Sequence, residues 1–145
     1  MRITNRGRYA LRASLALAKL EKDGEPVSIN RLSEEENISS VFLEQIFFKL
    51  RKAGLVSSIR GPGGGFCFAH SLDKLTVKQI LDAAGEETAL TLCDKSETDC
   101  DRVGECMSHG IWVSAHDLLQ KYLDGITLAS ILETNKNNPL QQVLR

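Results

Sequence analysis

Three cysteines and a histidine fall within seventeen residues of this 145-residue chain, at Cys93, Cys100, Cys106 and His109. Their spacing is Cys-x6-Cys-x5-Cys-x2-His. Thiolate sulfur and imidazole nitrogen are the ligands of zinc and of iron–sulfur centres. Cys106 and His109 are three apart, so they share one face if a helix has already begun there. The flanking Asp94, Asp99, Asp101 and Glu105 oppose thiolate formation, a cost that a bound cation or iron cluster removes. Left unligated, three surface thiols so close together would be an oxidation liability. The four side chains therefore read as a metal or cluster site.

Zinc and iron–sulfur are harder to separate. Cys3His is an accepted zinc set, yet structural zinc sites prefer short Cys-x2–4-Cys pairs. Gaps of six and five residues suit a wider object, such as a cluster whose irons each take two ligands. One imidazole in place of a thiolate removes a negative charge and raises the reduction potential. It also makes a ligand titratable near neutral pH, which suits a sensor better than a scaffold. A [4Fe–4S] centre on the three thiols with another fourth ligand stays open, as does structural zinc. His116, seven residues beyond His109, is a fallback ligand, although a polar histidine in a helix seam is the plainer reading. With no Cys-x-x-Cys and no base–orienter set, neither an enzyme nor a small-molecule substrate is expected.

The rest of the chain must position these groups. At 42% hydrophobic and 26% charged residues the composition is that of a soluble globular domain. No run of about 18 apolar residues occurs, so no membrane span is expected. Met1-Arg2-Ile3-Thr4 leads straight into a helical pattern with no secretory signal, which points to the cytoplasm. There, clustered cysteines mean metal or redox chemistry more often than disulfides. Residues 1–70 hold 11 Lys/Arg against 7 Asp/Glu, and residues 71–145 hold 7 against 12. A basic first half fits a polyanion, and a solvated surface explains it about as well.

Thr4 is placed to cap a helix to about Lys22, with Tyr9, Ala13, Ala16, Leu17 and Leu20 on one face. Ser28 caps a short helix through Leu32, Asn37 closes a turn, and Ser39 caps a third helix to about Ala53. Its buried face is expected to be Leu43, Ile46, Phe47 and Leu50, with Gly54 just past its end. Two helices joined by a short turn are the layout of a helix-turn-helix. Leu55–Ile59 and Phe66–Phe68 alternate as strands around a glycine-rich turn, which makes a wing. Cys67, between Phe66 and Phe68, is expected to pack beneath that wing, and His70 has no evident partner. Thr76-x-x-Gln79 is a capping box, with Leu75 and Ile80 at the spacing of a hydrophobic staple. That helix ends near Gly85. Residues 86–106 lose apolar periodicity and read as a cysteine-rich loop.

From about Met107 a helix resumes with Ile111, Trp112, Ala115, Leu118, Leu119, Tyr122 and Leu123 as a packing seam, ending at Gly125. Thr127 caps a last short helix, and the tail from Asn135 is polar. The expected fold is mainly α, a winged helix-turn-helix (1–85) with a small β-hairpin wing. A cluster-binding loop (86–106), a long dimerisation helix with a short terminal helix (107–134) and a flexible tail (135–145) follow. The amino-terminal end of the third helix would enter the major groove. Ser39, Ser40, Glu44 and Gln45 offer hydrogen bonds to base edges, and Arg60 and Gly61 at the wing approach the backbone or minor groove. Arg2, Arg8 and Phe42 are assigned to the same DNA-binding surface. A helix whose polar side simply faces water is the competing reading, weakened by the wing. Trp112, Ala115, Leu119 and Tyr122 are the expected dimer contacts, since two-fold pairing matches a palindromic operator.

Leu43-Glu44-Gln45, Leu50-Arg51, Gly54-Leu55-Val56-Ser57-Ser58 and Arg60-Gly61-Pro62-Gly63-Gly64-Gly65, with the three cysteines and Cys106-x-x-His109, form a recognisable set. The chain resembles the IscR-type iron–sulfur cluster regulators, within a larger group of winged-helix bacterial repressors. The likeness spans Met1-Arg2-Ile3-Thr4 and Gly7-Arg8-Tyr9-Ala10 through Ile126-Thr127-Leu128. It implies a homodimer on double-stranded DNA, a [2Fe–2S] cluster on Cys93, Cys100, Cys106 and His109, and control of cluster-assembly genes. Val41 stands where relatives often carry a polar residue, so the operator is not carried over. Arg8 stands where nitric-oxide-sensing siblings carry an aspartate ligand, which argues against that branch.

Overall fold

The computed structural model describes residues 2–94 and 100–136. Helix α1 (Asn5–Leu20) turns Ala10, Ala13, Ala16 and Leu17 inward. It stops two residues short of Lys22, and Asp23 and Gly24, both at positive φ, reverse the chain. Thr4 stands at the N-cap position but its side chain accepts no bond there. α2 (Ile29–Glu36) is capped by Ser28, whose hydroxyl accepts the Arg31 N–H at 3.2 Å, and Asn37 ends it in the left-handed region at φ 51°. α3 (Ser40–Lys52) is capped by Ser39, and buries the expected Leu43, Ile46, Phe47 and Leu50. Each of these caps satisfies a backbone donor that the helix itself leaves open.

The wing is an antiparallel pair, β1 (Val56–Ile59) and β2 (Gly65–Phe68), in register from Val56–Phe68 to Ile59–Gly65. It is pinned to the segment before α2, because Val27 and Phe66 exchange two backbone bonds of 2.8 Å. Gly65 makes this approach feasible: a Cβ there would lie 2.2 Å from the Val27 carbonyl oxygen. Phe66 and Phe68 pack against the core. Cys67 therefore faces the other way, half-buried and opposite exposed Ser57, not beneath the wing as alternation alone led one to expect.

α4 (Val77–Ala84) begins with both halves of the Thr76–Gln79 capping box, and Gly85 ends it at φ 83°. α5 (His109–Asp124) and α6 (Leu128–Lys136) complete the helices. The turn between them clasps the start of α4. Val77 N–H donates to Ile126 O and Leu128 N–H to Leu75 O, both at 2.9 Å. Leu128 consequently sits in the same buried cluster as Leu17, Leu32, Leu43, Phe47, Leu50 and Ile80. Mainly α with a two-stranded wing is thus the observed architecture. Of the expected flexible tail, residues 137–145 lie outside the described residues, as do 95–99 of the cysteine loop. Among the described residues no helix is long and apolar enough to cross a membrane.

Candidate metal centre and nucleic-acid interface

His109 is the first residue of α5, and its N–H donates to the Cys106 carbonyl at 3.2 Å. A backbone turn therefore closes Cys106 onto His109, although the helix that would set both side chains on one face begins only at His109. His109 Nδ1 is buried and has no hydrogen-bond partner among the described residues. A polar atom in that condition is uncommon in a folded protein and calls for an explanation. Cys106 is exposed, and its Sγ lies 3.3 Å from Ser108 Oγ. Bonds from the Ser108 hydroxyl and N–H, outweighing a small desolvation effect and helped by the His109 N–H and Arg102, hold this thiol below the usual thiol range. Cys93 sits in a 3₁₀ turn (Leu92–Asp94), half-buried, with Sγ 3.1 Å from Thr91 Oγ1. Cys100 is half-buried.

The structure joins Cys106 to His109 but does not gather all four side chains around one point. Among the described residues no three His, Cys, Asp or Glu side chains form a metal-holding group. The chemistry of the donors nevertheless suits a zinc ion or an iron–sulfur cluster: three free thiols and an imidazole with an unpartnered buried nitrogen. His116, the fallback ligand, has its Nδ1 3.3 Å from the Thr88 carbonyl, and so behaves as a seam histidine.

The segment leading from α4 to Cys93 is tied to α1 and α5, and the end of α4 just before it to α3. Glu86 is buried, and its carboxylate accepts the Thr4 N–H at 2.9 Å, the Gly7 N–H at 3.2 Å and the Thr4 hydroxyl. It thus does for α1 what the Thr4 side chain was expected to do, and supplies the negative charge that a helix N-terminus favours. Burial pushes the Glu86 carboxyl up, but the Thr4 hydroxyl, the two N–H donors and the Arg6 charge together hold it below the ordinary carboxylate value. Lys49 Nζ of α3 reaches the Ala84 carbonyl at 3.4 Å. Buried Thr88 takes contacts from His116 and Gln120 of α5. Between α1, α3 and this segment lies an open cleft of about 740 Å³, bordered by Arg2, Arg6, Phe42, Glu87, Leu90 and Leu92.

Sequence reasoning missed Glu86, which reads there as one more acid in an acidic stretch. A signal existed at the other end. A glycine within the first turns of a helix costs about 0.5–1 kcal/mol against alanine, so Gly7 marks a close approach.

On the recognition side, Ser39, Glu44 and Gln45 are exposed and Ser40 half-buried at the start of α3. Arg2, Arg8, Arg60 and Gly61 are exposed as well. Phe42 is half-buried and packs edge-on against Tyr9 with ring centroids 5.8 Å apart, so it fastens α3 to α1 as well as bordering the cleft. Arg51 ties α3 to the wing through Ser58 at 3.1 Å, and His70 Nε2 meets the Gly54 carbonyl at 3.1 Å. A helix N-terminus open to solvent and a rigidly joined wing are what a winged helix needs to read DNA.

The profile of the Rrf2 family, described as iron-dependent transcriptional regulator, matches residues 3–134. The chain belongs to the Rrf2 family. Within it, the transcriptional regulator IscR of Aliivibrio salmonicida is 38% identical over 143 residues, 99% of this chain and 82% of that protein. The solved structure of T. potens IscR superposes with a TM-score of 0.74 at 30% identity, covering 93% of this chain and 88% of that one. CymR, the global cysteine regulator of B. subtilis, superposes equally well (TM-score 0.74) at 28% identity, covering 92% and 98%. An Rrf2 regulator of the IscR type is therefore what the comparisons support, on a fold that the family also uses for other regulators. The winged-helix architecture expected from the sequence is the one these Rrf2 structures share.

None of the α5 side chains is fully buried within the protomer. Ala115, Leu119 and Leu123 are half-buried, while Ile111, Trp112, Leu118 and Tyr122 are exposed. At 100° per residue Leu123 lies on the side of His116 and Gln120, which face Thr88, and Leu119 lies midway between that side and the opposite one. Ile111, Leu118 and Tyr122 line the opposite stripe. Of the four expected dimer contacts, Trp112 and Tyr122 are thus open, and Ala115 and Leu119 are partly covered by the protomer itself.

Proposed function

We propose that this chain is a cytoplasmic, DNA-binding transcription regulator that senses iron–sulfur cluster status through a [2Fe–2S] cluster. Cys93, Cys100, Cys106 and His109 would hold it, and the genes controlled would include those of cluster assembly. The observation that carries the reading is the Cys106–His109 turn at the head of α5, with a buried imidazole nitrogen that no described residue satisfies. A bound cluster supplies a one-electron redox centre whose presence depends on iron and sulfide supply. The protein's own part is mechanical. Cys93 follows seven residues after Glu86, and that segment is bonded to α1 through Glu86 and to α5 through Thr88, while Lys49 of α3 holds the end of α4 just ahead of it. Any rearrangement of the loop thereby bears on the helix that meets DNA and on the helix that carries the open apolar stripe.

That stripe is the proposed homodimer contact, and a two-fold dimer calls for a palindromic operator. The deciding test is the absorption spectrum and the iron, sulfide and zinc content of protein purified without oxygen. Two irons and two sulfides per chain, with His109→Ala changing the spectrum, are expected. Four irons would demote His109 and assign a [4Fe–4S] centre, and one zinc in colourless protein would replace the sensor with a structural site. Equal operator affinity of loaded and cluster-free protein at fixed salt would defeat the sensing role.

A further inference from the structure

The recognition helix holds two apolar side chains in the open. Val41 is 63% exposed and Phe48 55%. They share a face with Glu44 and Gln45, at positions i, i+3, i+4 and i+7, opposite the buried Leu43, Ile46, Phe47 and Leu50. The core has no use for them. Lys49, Arg51 and Lys52 follow in the last turn of α3, and Arg60 stands exposed on the wing, so cations flank the face as a polyanion requires. The Arg51 guanidinium lies over the Phe48 ring, 5.5 Å from its centroid. Val41 sits in the first turn of α3, the part of a recognition helix that reaches base edges.

A side chain without hydrogen-bonding atoms distinguishes base pairs in the major groove through one group, the C5 methyl of thymine. We propose that Val41 is a specificity-determining residue that selects thymine by contact with that methyl, beside a base pair read by Glu44. Three residues separate the two, a rise of about 4.5 Å along the helix, comparable with the base spacing of about 3.4 Å. The Glu44 carboxylate accepts from the cytosine amino group, so the pair calls for a thymine next to a C·G pair. This inference rests on the DNA-binding reading above.

The test begins by selecting a site for the full-length protein from a random duplex pool. Each thymine of that site is then replaced singly by deoxyuridine, which removes the methyl and leaves the pairing edges intact. Affinities are read by fluorescence anisotropy at fixed salt. One thymine per half-site is expected at which uracil weakens the wild type about four-fold, the value of burying one methyl group. There Val41→Ala should bind thymine and uracil duplexes equally; Val41→Ser, a second variant, should likewise lose the preference if Val41→Ala binds too weakly to measure. Indifference of the wild type to uracil at every position overturns the proposal, and so does an undiminished thymine preference in both variants. If no sequence is enriched and binding is absent at low salt, the DNA-binding reading itself has failed, and the thymine contact with it.

Discussion

Glu86 occupies the space that a side chain at position 7 would need: a Cβ on Gly7 would lie 2.3 Å from Glu86 Cγ and 2.6 Å from Cδ. The missing methyl lets a carboxylate from 79 residues away reach the Gly7 N–H. The helix that opens the chain and the segment that leads to the cysteines are thereby one joint.

Gly7→Ala should destabilise the protein by about 1–3 kcal/mol, the range for overpacking a filled site, read from urea denaturation midpoints. In a Glu86→Ala background the sign should reverse, since alanine then gains about 0.5–1 kcal/mol over glycine in a helix. Equal effects in both backgrounds would show that the two residues do not share the space.

The joint also has a pH signature. The folded Glu86 carboxyl is held below its ordinary value of 4.5, its hydrogen bonds outweighing burial. Its contribution to stability is therefore present at neutral pH, and is lost as the pH falls below the unfolded value and through the folded one. Glu86→Gln should weaken the protein at neutral pH and shrink the difference in stability between neutral pH and about pH 3. An unchanged pH profile would remove Glu86 from the acid response.

Leu128 is fully buried although it lies beyond the long helix. Leu128→Ala should cost about 2–5 kcal/mol and shift the whole unfolding curve, with far-UV circular dichroism and tryptophan fluorescence moving together. A separate early transition, leaving the amino-terminal core intact, would mean that α6 folds on its own account.

The open stripe of α5 and its half-buried side should respond differently to charge. Leu118→Lys is expected to convert a dimer to a monomer in sedimentation experiments with little loss of thermal stability. Leu123→Lys, on the side toward Thr88, is expected to lower the melting temperature instead. A monomeric wild type would dismiss the stripe as a dimer contact.

Much of this molecule was legible in one dimension because its signals are local. The Ser28 and Ser39 caps, the Thr76–Gln79 box and the left-handed Asn37 and Gly85 each depend on residues a few positions apart. The inward face of α3 follows from its period, and the backbone turn from Cys106 to His109 spans only three residues. Alternation put Cys67 opposite Phe66 and Phe68, but which side of the hairpin faced the core was decided by Val27 and the helices behind it.

The sequence by itself therefore determined the order of helices and wing and the caps of α2, α3 and α4, because propensity and periodicity are properties of neighbouring residues. Only the tertiary structure decided that α1 is capped by Glu86, 82 residues from Thr4, that Leu128 returns to the core, and which stripe of α5 stays open. Those outcomes depend on which distant surfaces meet, and an apolar or acidic residue carries no record of its partner until packing brings the two together.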